Sequence, residues 1–368
     1  MYAVDGRSIY RERADGTYER RGRLPIPESG VEGVTRRLTT VRPWKTAVEW
    51  VVGAFATSGV WPLGGADFLA TDGRWLFASG DGGRTWTPTW TLPDSSGPMG
   101  VLPTAVCRHE GRVLVGEYPL DGDDDCRLLA SGDGGRSWTV LHRFDDVRHV
   151  HGVHADPYGG DVWITTGDTD DHSRIWRLVD GRPEVVGGGA QRWRAVDLAF
   201  APDAVLWGVD SVYRTRNHVL RLDRDALATG GDPDPVHVVD ESVFYAATLP
   251  LDGEVVAAFS TAAESGPDST APEAHANVEG PPTARVVIAS SATDFSEWTE
   301  LFRFRRRRAG SDRLDPTGVL PSANAYVYLA ADPERGLLVN PFNTARNHGA
   351  VYEVPPTALA ERIGAPAE

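Results

Sequence analysis

Cysteine, methionine and lysine are all scarce in this chain of 368 residues. The two cysteines, Cys107 and Cys126, are too few for a fold stapled by disulfides or for a four-cysteine zinc site. We expect them on neighbouring strands, where a bridge could form, although two buried free thiols are favoured. No apolar run approaches the roughly 20 residues that cross a bilayer, and the N-terminus lacks a charged-then-apolar targeting segment. The sequence therefore predicts a cytoplasmic protein without a membrane span.

Lysine occurs once, at Lys45, so arginine carries almost all of the positive charge. The 52 acidic residues outnumber the 37 lysines and arginines and give a formal net charge of -15. Such an acidic composition is typical of a salt-adapted protein, because carboxylates hold water and counter-ions and repel one another. A GC-rich genome would also replace lysine by arginine, but it would not require the excess of aspartate. The negative charge argues against nucleic acid as a partner.

One short segment occurs twice almost unchanged, as FASGDGGRTW over residues 77–86 and as LASGDGGRSW over residues 129–138. A weaker copy, IASSATDFSEW, covers residues 288–298. Each copy joins an apolar strand to a second strand through a tight turn. Asp81 and Asp133 can accept hydrogen bonds from backbone amides of their own turns, the glycines supply positive φ angles, and Trp86 and Trp138 cover the turns. The repeat predicts successive β-hairpins.

Short apolar runs with turn residues between them continue along the chain, and few segments favour a helix. Counting the outer strands predicts an all-β fold, a six-bladed β-propeller in which the N-terminal strands complete the last blade. Seven blades are the alternative if residues 1–24 form a small sheet of their own. We expect one propeller domain over residues 1–355, with a mobile insertion loop at 261–283 and a C-terminal tail at 356–368.

The segment RHVHGVHADP over residues 148–157 contains three of the ten histidines. In a strand, His149 and His151 share one face. Two imidazoles on one face could bind a divalent metal or move protons near neutral pH, or they could fill a polar channel as satisfied side chains. We interpret His154 as structural, paired with Asp156. The metal, if one binds, is the only cofactor that the sequence suggests.

Further polar candidates lie at equivalent strand ends of neighbouring blades, where the inner strands would line a central pocket. Each could equally be an ion pair, a capped strand end or a satisfied turn. The candidates for catalysis, besides the two histidines, are Arg194, Asp197, Tyr118 and Glu117, and those for ligand binding are Arg346, His348, Asp168 and Asp210.

The two strong repeats fit the pattern Ser-x-Asp-x-Gly-x-Thr-Trp, with Ser137 in place of the threonine in the second copy. With these repeats and the histidine-rich stretch, the chain resembles sialidase-like propellers of the Asp-box or BNR-repeat type, in a glycosyl-hydrolase-like branch of haloarchaeal type. In that family Asp81, Trp86, Asp133 and Trp138 would be structural. Sialidases carry an Arg-Ile-Pro motif, from which Arg23-Leu-Pro-Ile-Pro27 departs, and their arginine triad cannot be assigned here.

Two functions follow from this resemblance and from the polar candidates. The first is an enzyme that acts on surface or acidic glycans, as a glycoside hydrolase or with lyase or epimerase chemistry. The second is a non-catalytic propeller that binds a glycan or a protein, for which Trp163, Trp193 and Trp207 would form an aromatic platform. A pocket where histidines and arginines converge would favour the enzyme, and a flat aromatic surface would favour the binder.

Overall fold

The computed structural model describes residues 1–27, 44–53, 56–97, 100–121, 124–211, 216–227, 230–264, 283–310 and 323–364. Within these ranges the chain is almost entirely β-structure, and antiparallel strands form seven sheets of three or four strands. The fold is a seven-bladed β-propeller, and we number the sheets blade 1 to blade 7 in chain order. No helix in the described ranges has the length and apolar character needed to cross a membrane.

Consecutive strands of the chain pair within each of the first four blades. Blade 1 has three strands, and blades 2 to 4 have four. Their strands are β1 (Tyr2–Asp5), β2 (Ser8–Glu12), β3 (Tyr18–Arg23), β4 (Ser58–Gly64), β5 (Asp67–Asp72), β6 (Trp75–Ser79), β7 (Thr87–Thr91), β8 (Val106–His109), β9 (Arg112–Gly116), β10 (Cys126–Ser131), β11 (Thr139–Phe144), β12 (Val150–Ala155), β13 (Val162–Thr166), β14 (Arg174–Val179) and β15 (Arg182–Gly188).

Blades 5 and 6 have four strands and blade 7 has three. Short helices lie before blade 2, within blade 5 and after blade 7. These strands and helices are β16 (Leu198–Phe200), β17 (Ala204–Gly208), β18 (Asn217–Asp223), β19 (Asp234–Val239), β20 (Val243–Leu251), β21 (Glu254–Thr261), β22 (Thr283–Ser290), β23 (Thr299–Arg305), β24 (Tyr326–Asp332), β25 (Gly336–Phe342) and β26 (Tyr352–Val354), with α1 (Trp44–Val52), α2 (Arg224–Leu227) and α3 (Pro356–Ile363).

The prediction of six blades is wrong. Strands β1 to β3 pair only with one another in the described sheets and do not complete the sheet of β24 to β26. The two sheets meet instead through side chains, because Arg335, in the turn between β24 and β25, contacts Glu12 at the end of β2 with 2.8 Å between Nη1 and Oε2. An ion pair between blades 1 and 7 thus replaces the expected backbone ladder.

Neighbouring blades contact each other through their first strands, as β8 does with β12, β16 with β20 and β20 with β24. These strands lie nearest the axis. In blades 2 to 6 the start of the first strand and the end of the second lie at the same end of the blade, because successive strands are antiparallel. We call this end the hub face. The turn between the third and fourth strands lies at the opposite end and farther out, and we call that position the rim.

Apolar side chains from adjoining blades fill the space between the sheets. Leu128 and Leu129 of β10 are fully buried with Val150 of β12 in one continuous cluster. Alternating strand positions face the two neighbouring blades. A middle strand is therefore apolar on both faces, because both faces of its sheet are covered. Such middle strands explain the short apolar runs of the sequence.

The two rim turns of the repeat use their aspartates as the sequence predicts. Asp81 Oδ1 accepts hydrogen bonds from the backbone amides of Arg84 at 2.9 Å and Thr85 at 3.0 Å. Asp133 Oδ1 does the same for Arg136 and Ser137, both at 2.9 Å. The hydroxyl of residue 85 or 137, its backbone amide and a preceding serine all stabilise the ionised form, so the pKa values of both aspartates lie well below the usual range.

Three smaller predictions also need comment. Cys107 and Cys126 are both free, but they lie on β8 and β10 with β9 between them, so they are not on neighbouring strands. Most of the expected insertion loop lies outside the described residues, although β21 extends to Thr261 and β22 begins at Thr283. The tail is helical over Pro356–Ile363 and buries Leu359 in the core shared by blades 6 and 7, so packing continues beyond residue 355.

Candidate functional site

Polar side chains from blades 3, 4 and 5 converge at the hub face. Each of them lies shortly before a first strand, at its start, or shortly after a second strand, so the antiparallel topology places them at the same end of the blades. We call the following set the hub cluster: Tyr118, His149, His151, Asp168, Arg194 and Asp210. All six are among the residues that the sequence predicted for the site.

The two histidines are buried at the start of β12, His149 directly before the strand and His151 within it. His149 is 1% exposed and His151 is 2% exposed, and their rings lie 4.9 Å apart. His151 occupies a β-bulge between Val150 and Gly152 in the pairing with β13, and bulges commonly re-aim a side chain beside an active site. The Tyr118 ring stacks on that of His149 with 4.0 Å between centroids. Burial, with help from His149 and Arg194, lowers the pKa of His151 to about 3.

Asp168 is the most connected residue of the cluster. Its Oδ2 lies 2.7 Å from Arg148 Nη1, and its Oδ1 lies 3.3 Å from Arg194 Nη2 and 3.2 Å from His149 Nε2. The backbone of Asp168 has a φ of 122°, a strained conformation for a residue with a side chain. Burial opposes the charge of this carboxyl, but the contact with His149 and the charge of Arg194 outweigh burial, so its pKa lies below the usual range.

Arg194 joins Asp168 to Asp210. Its Nη1 donates to the backbone oxygen of Asp168 at 3.0 Å, and its Nε lies 3.3 Å from Asp210 Oδ2. Burial lowers the pKa of Arg194 less than the two carboxylates raise it, so the guanidinium stays charged. Burial raises the pKa of Asp210, and the charge of Arg194 offsets this rise only in part. A Cβ added at Gly167 would lie 2.5 Å from His151 Cε1 and 3.0 Å from Arg194 Cγ, so the close packing requires glycine there.

Sequence reasoning missed two residues of the site. Arg148 precedes His149 and contacts Asp168, as described above. Glu264 follows β21 at the hub face, and its Oε2 accepts a hydrogen bond from Ser242 at 2.8 Å. Burial and the neighbouring charge of Asp210 raise the pKa of Glu264 to about 7. The only sequence signal for Glu264 is a single acid after the buried run Phe259–Ala263, at the start of the predicted insertion loop.

Four predicted site residues lie outside the cluster. Glu117 faces the interior of the blade, where Arg127 contacts it at 2.6 Å and Trp90 donates to it at 3.2 Å, because neighbours in an extended chain point to opposite sides. Asp197 accepts hydrogen bonds from the amides of Leu198 and Ala246, both at 2.9 Å. Arg346 and His348 are exposed in the loop between β25 and β26, and no contact between described residues links either to the hub cluster.

The predicted partner of His154 is wrong. Its Nδ1 lies 3.4 Å from Asp197 Oδ1, whereas Asp156 pairs with Arg224 through two hydrogen bonds of 2.6 and 2.9 Å. Burial raises the pKa of Asp197 to about 7 and lowers that of His154 to about 3. The two residues therefore form a buried contact between blades 4, 5 and 6, separate from the hub cluster.

The predicted aromatic platform is also wrong. Trp163, Trp193 and Trp207 are 1%, 4% and 0% exposed and belong to one core cluster with Ile175 and Leu220. The rings of Trp193 and Trp207 stack at 5.4 Å. Their large apolar surfaces stabilise the packing of blades 4 and 5 and are inaccessible to a ligand.

Comparisons with known proteins find distant structural similarity and no matching family. No known family model matches the chain, and no curated protein does. Similar solved structures include a protein from Agrobacterium tumefaciens described as TolB, with 12% identity over 65% of this chain and 77% of that one and a TM-score of 0.38. Hydrazine synthase from Kuenenia stuttgartiensis has 14% identity over 82% of this chain and 77% of that one, with a TM-score of 0.47.

A puromycin hydrolase has 16% identity over all of this chain and a TM-score of 0.45, and this chain covers 52% of its length. These neighbours are β-propellers. None of the comparisons supports membership of the sialidase-like Asp-box family or a haloarchaeal origin. These similarities are distant, and the function of the chain has to be argued from the hub cluster.

Proposed function

We propose that the chain is an acid–base enzyme that acts on acidic sugars, with lyase or epimerase chemistry at the hub face. One observation carries this proposal: two acids with raised pKa values, Asp210 and Glu264, adjoin a charged arginine, Arg194. Perturbed acids grouped around a cation are typical of catalytic sites. The rim, in contrast, has acids whose pKa values are lowered.

The arginines suit a substrate that carries a carboxylate. Arg148 is partly exposed, with 38% of its side chain accessible, and Arg194 lies behind it on the other side of Asp168. A guanidinium next to a uronate carboxylate would neutralise the charge that develops when the adjacent C–H proton is removed. Two arginines against one ionised carboxylate, Asp168, would leave a positive charge once Glu264 has taken up the substrate proton while Asp210 holds its own, which is the moment when the negative charge develops on the substrate.

Glu264 is suited to the proton transfer, because a general base works best when its pKa is close to the working pH. In a lyase reaction the Glu264 carboxylate would accept the proton from the carbon beside the uronate carboxylate. A carbon–carbon double bond would form as the glycosidic C–O bond breaks. Protonated Asp210 or the Tyr118 hydroxyl would donate a proton to the leaving oxygen. Burial raises the pKa of Tyr118, so its hydroxyl keeps the proton that it would donate.

The test is a screen of uronate-containing polysaccharides at molar salt. Ultraviolet absorbance detects an unsaturated product, and an assay of reducing ends without that absorbance detects hydrolysis. We expect Glu264→Gln and Asp210→Asn to lower turnover by about 100-fold or more. Glu184→Gln, at an exposed position of β15, is the matched control and should keep full turnover. Sugar binding without turnover by the wild-type chain would contradict the proposal and favour a non-catalytic binder.

A further inference from the structure

We propose that the hub cluster binds one divalent first-row transition-metal cation through His149 Nε2, His151 Nε2 and a carboxylate oxygen of Asp168. One ligand atom from each of these residues lies within 4.8 Å of the other two. Two imidazoles and one carboxylate form a common protein ligand set for zinc and for non-haem iron, and this set leaves coordination positions open for water or substrate.

The backbone fixes which nitrogen of each imidazole is free to bind a metal. His149 Nδ1 lies 3.2 Å from the carbonyl oxygen of Pro119, and His151 Nδ1 lies 3.0 Å from that of Ala195. A carbonyl oxygen only accepts hydrogen bonds, so Nδ1 must carry the proton in both rings. In the neutral form of each ring, the lone pair is then on Nε2. A carbonyl acceptor on the other nitrogen is the usual support for a metal-binding histidine.

His149 Nε2 and Asp168 Oδ1 face each other in a way that a cation would explain. They are 3.2 Å apart, yet the buried Nε2 makes no hydrogen bond to any described residue. When the ring is neutral with its proton on Nδ1, two lone pairs point toward the same space, and either a bound cation or a second ring proton on Nε2 would relieve their repulsion. Ligand atoms about 2.1 Å from a metal are about 3.0–3.4 Å apart in tetrahedral or octahedral coordination, and the observed separation falls in that range.

Asp168 has the capacity to bind a metal as well as its arginines. A carboxylate offers about four lone-pair positions. Arg148 Nη1 occupies one of these positions on Oδ2, and Arg194 Nη2 lies 3.3 Å from Oδ1. The two guanidinium groups therefore orient the carboxylate and leave Oδ1 a position toward the histidines. Hydrogen-bonded ligand carboxylates are typical of metal sites.

This site does not depend on the proposed acid–base function. Glu264 contributes no ligand, so Glu264→Gln should lose turnover and keep its affinity for the metal. A chain that binds metal but turns over no acidic sugar would refute the proposed function alone. A chain that turns over substrate equally well with and without chelator, and binds no metal, would refute the present inference alone.

The experiment is calorimetric titration of chelator-treated full-length protein with Zn²⁺ and with Mn²⁺. We expect one site per chain. His149→Gln, His151→Gln and Asp168→Asn should each weaken binding by about 100-fold or more, since loss of supporting residues alone costs up to that factor. His154→Gln is the matched control, because His154 is a buried histidine of the same strand that faces Asp197 instead, and its affinity should equal that of the wild type.

Electron paramagnetic resonance of the Cu²⁺-loaded wild-type chain tests the ligands without any variant and decides the matter if a substitution prevents folding. Two imidazole nitrogens should split the signal. The inference is overturned if no cation binds with one-to-one stoichiometry, if His154→Gln weakens binding as much as His151→Gln, or if the Cu²⁺ spectrum lacks two nitrogens. His149 and Asp168 would then form an ordinary ion pair.

Discussion

The rim and the hub of this propeller use the same residue types in opposite surroundings. At the rim, Asp81 and Asp133 sit in tight turns that donate hydrogen bonds to them, and their pKa values are lowered. At the hub and between the inner strands, Glu264, Asp210 and Asp197 are largely buried, and their pKa values are raised. Asp168 is the exception at the hub, because its contacts with His149 and the arginines lower its pKa despite burial. Turn acids of the first kind stabilise the folded chain when ionised. Buried acids of the second kind oppose folding when they are ionised. A protein keeps such acids where the chemistry of a site requires a raised pKa.

The largest expected difference concerns the arginines of the two regions. Arg194→Met would leave Asp168 and Asp210 without their shared buried cation and should lower the free energy of unfolding by about 3–5 kcal/mol. At the rim, Arg136→Met removes an exposed ion pair with Asp67 and should cost less than about 1 kcal/mol. Urea unfolding of both variants measures the difference. Equal losses would show that the hub pair is no more buried than the rim pair.

Glycines provide the next comparison. Gly167→Ala places a methyl group against His151 and Arg194 and should destabilise the fold by about 1–3 kcal/mol, with a loss of turnover and of metal affinity. A Cβ at Gly132, in the rim turn, would meet no atom within 4 Å, so Gly132→Ala should change stability little. Thermal unfolding measures the change in stability, and the turnover assay and the metal titration measure the two functional losses. A neutral Gly167→Ala would contradict the close packing of the hub.

The pH dependence of stability should come from the buried acids. Because the folded chain holds the proton of Asp197 up to about pH 7 and the unfolded chain releases it near pH 4, stability should fall as pH rises through that window. One such group contributes at most about 1.4 kcal/mol for each pH unit. Unfolding from pH 4 to 8 measures the slope, which Asp197→Asn should reduce. The rim variant Asp133→Asn should leave it unchanged, since that lowered pKa acts only at lower pH.

The smallest effect is expected at the rim itself. Asp133→Ala removes the acceptor for the amides of Arg136 and Ser137 and should cost about 1 kcal/mol in all, because both bonds are exposed and water replaces them in the unfolded chain. Turnover of acidic sugars and metal affinity should not change, because the turn lies at the opposite end of the blade from the hub cluster. A loss of turnover without a loss of stability would place part of the site at the rim.

Much of this arrangement follows from local sequence patterns. The turn chemistry of Asp81 and Asp133 depends on residues within five positions. Alternation along an extended chain predicts His149 and His151 on one side, and their rings do lie 4.9 Å apart, although a β-bulge interrupts the alternation at His151. The antiparallel hairpin rule also brings Asp168, Arg194 and Asp210 to one end of neighbouring blades. These predictions need no knowledge of distant packing, which explains why the sequence could supply the six members of the hub cluster.

What failed depends on contacts between distant parts of the chain. The count of blades was decided by whether β1 to β3 pair with β24 to β26, and no local signal reports that pairing. Glu117 and Tyr118 are adjacent, and only the position of Trp90 and Arg127 in space decides which of them turns inward. Asp156 found Arg224, which is 68 positions away, in place of nearby His154. The tryptophans predicted as a platform were too apolar to leave exposed once blades 4 and 5 packed.

Carboxyl ¹³C magnetic resonance of the chain labelled in aspartate and glutamate tests the contrast between hub and rim most directly, with Glu264→Gln and Asp133→Asn for assignment. The account predicts that Glu264 titrates near pH 7 while Asp133 stays ionised far below that pH. If Glu264 instead loses its proton near its ordinary pKa of 4.5, as an acid in open water does, the hub has no acid–base group poised for neutral pH and the central claim fails.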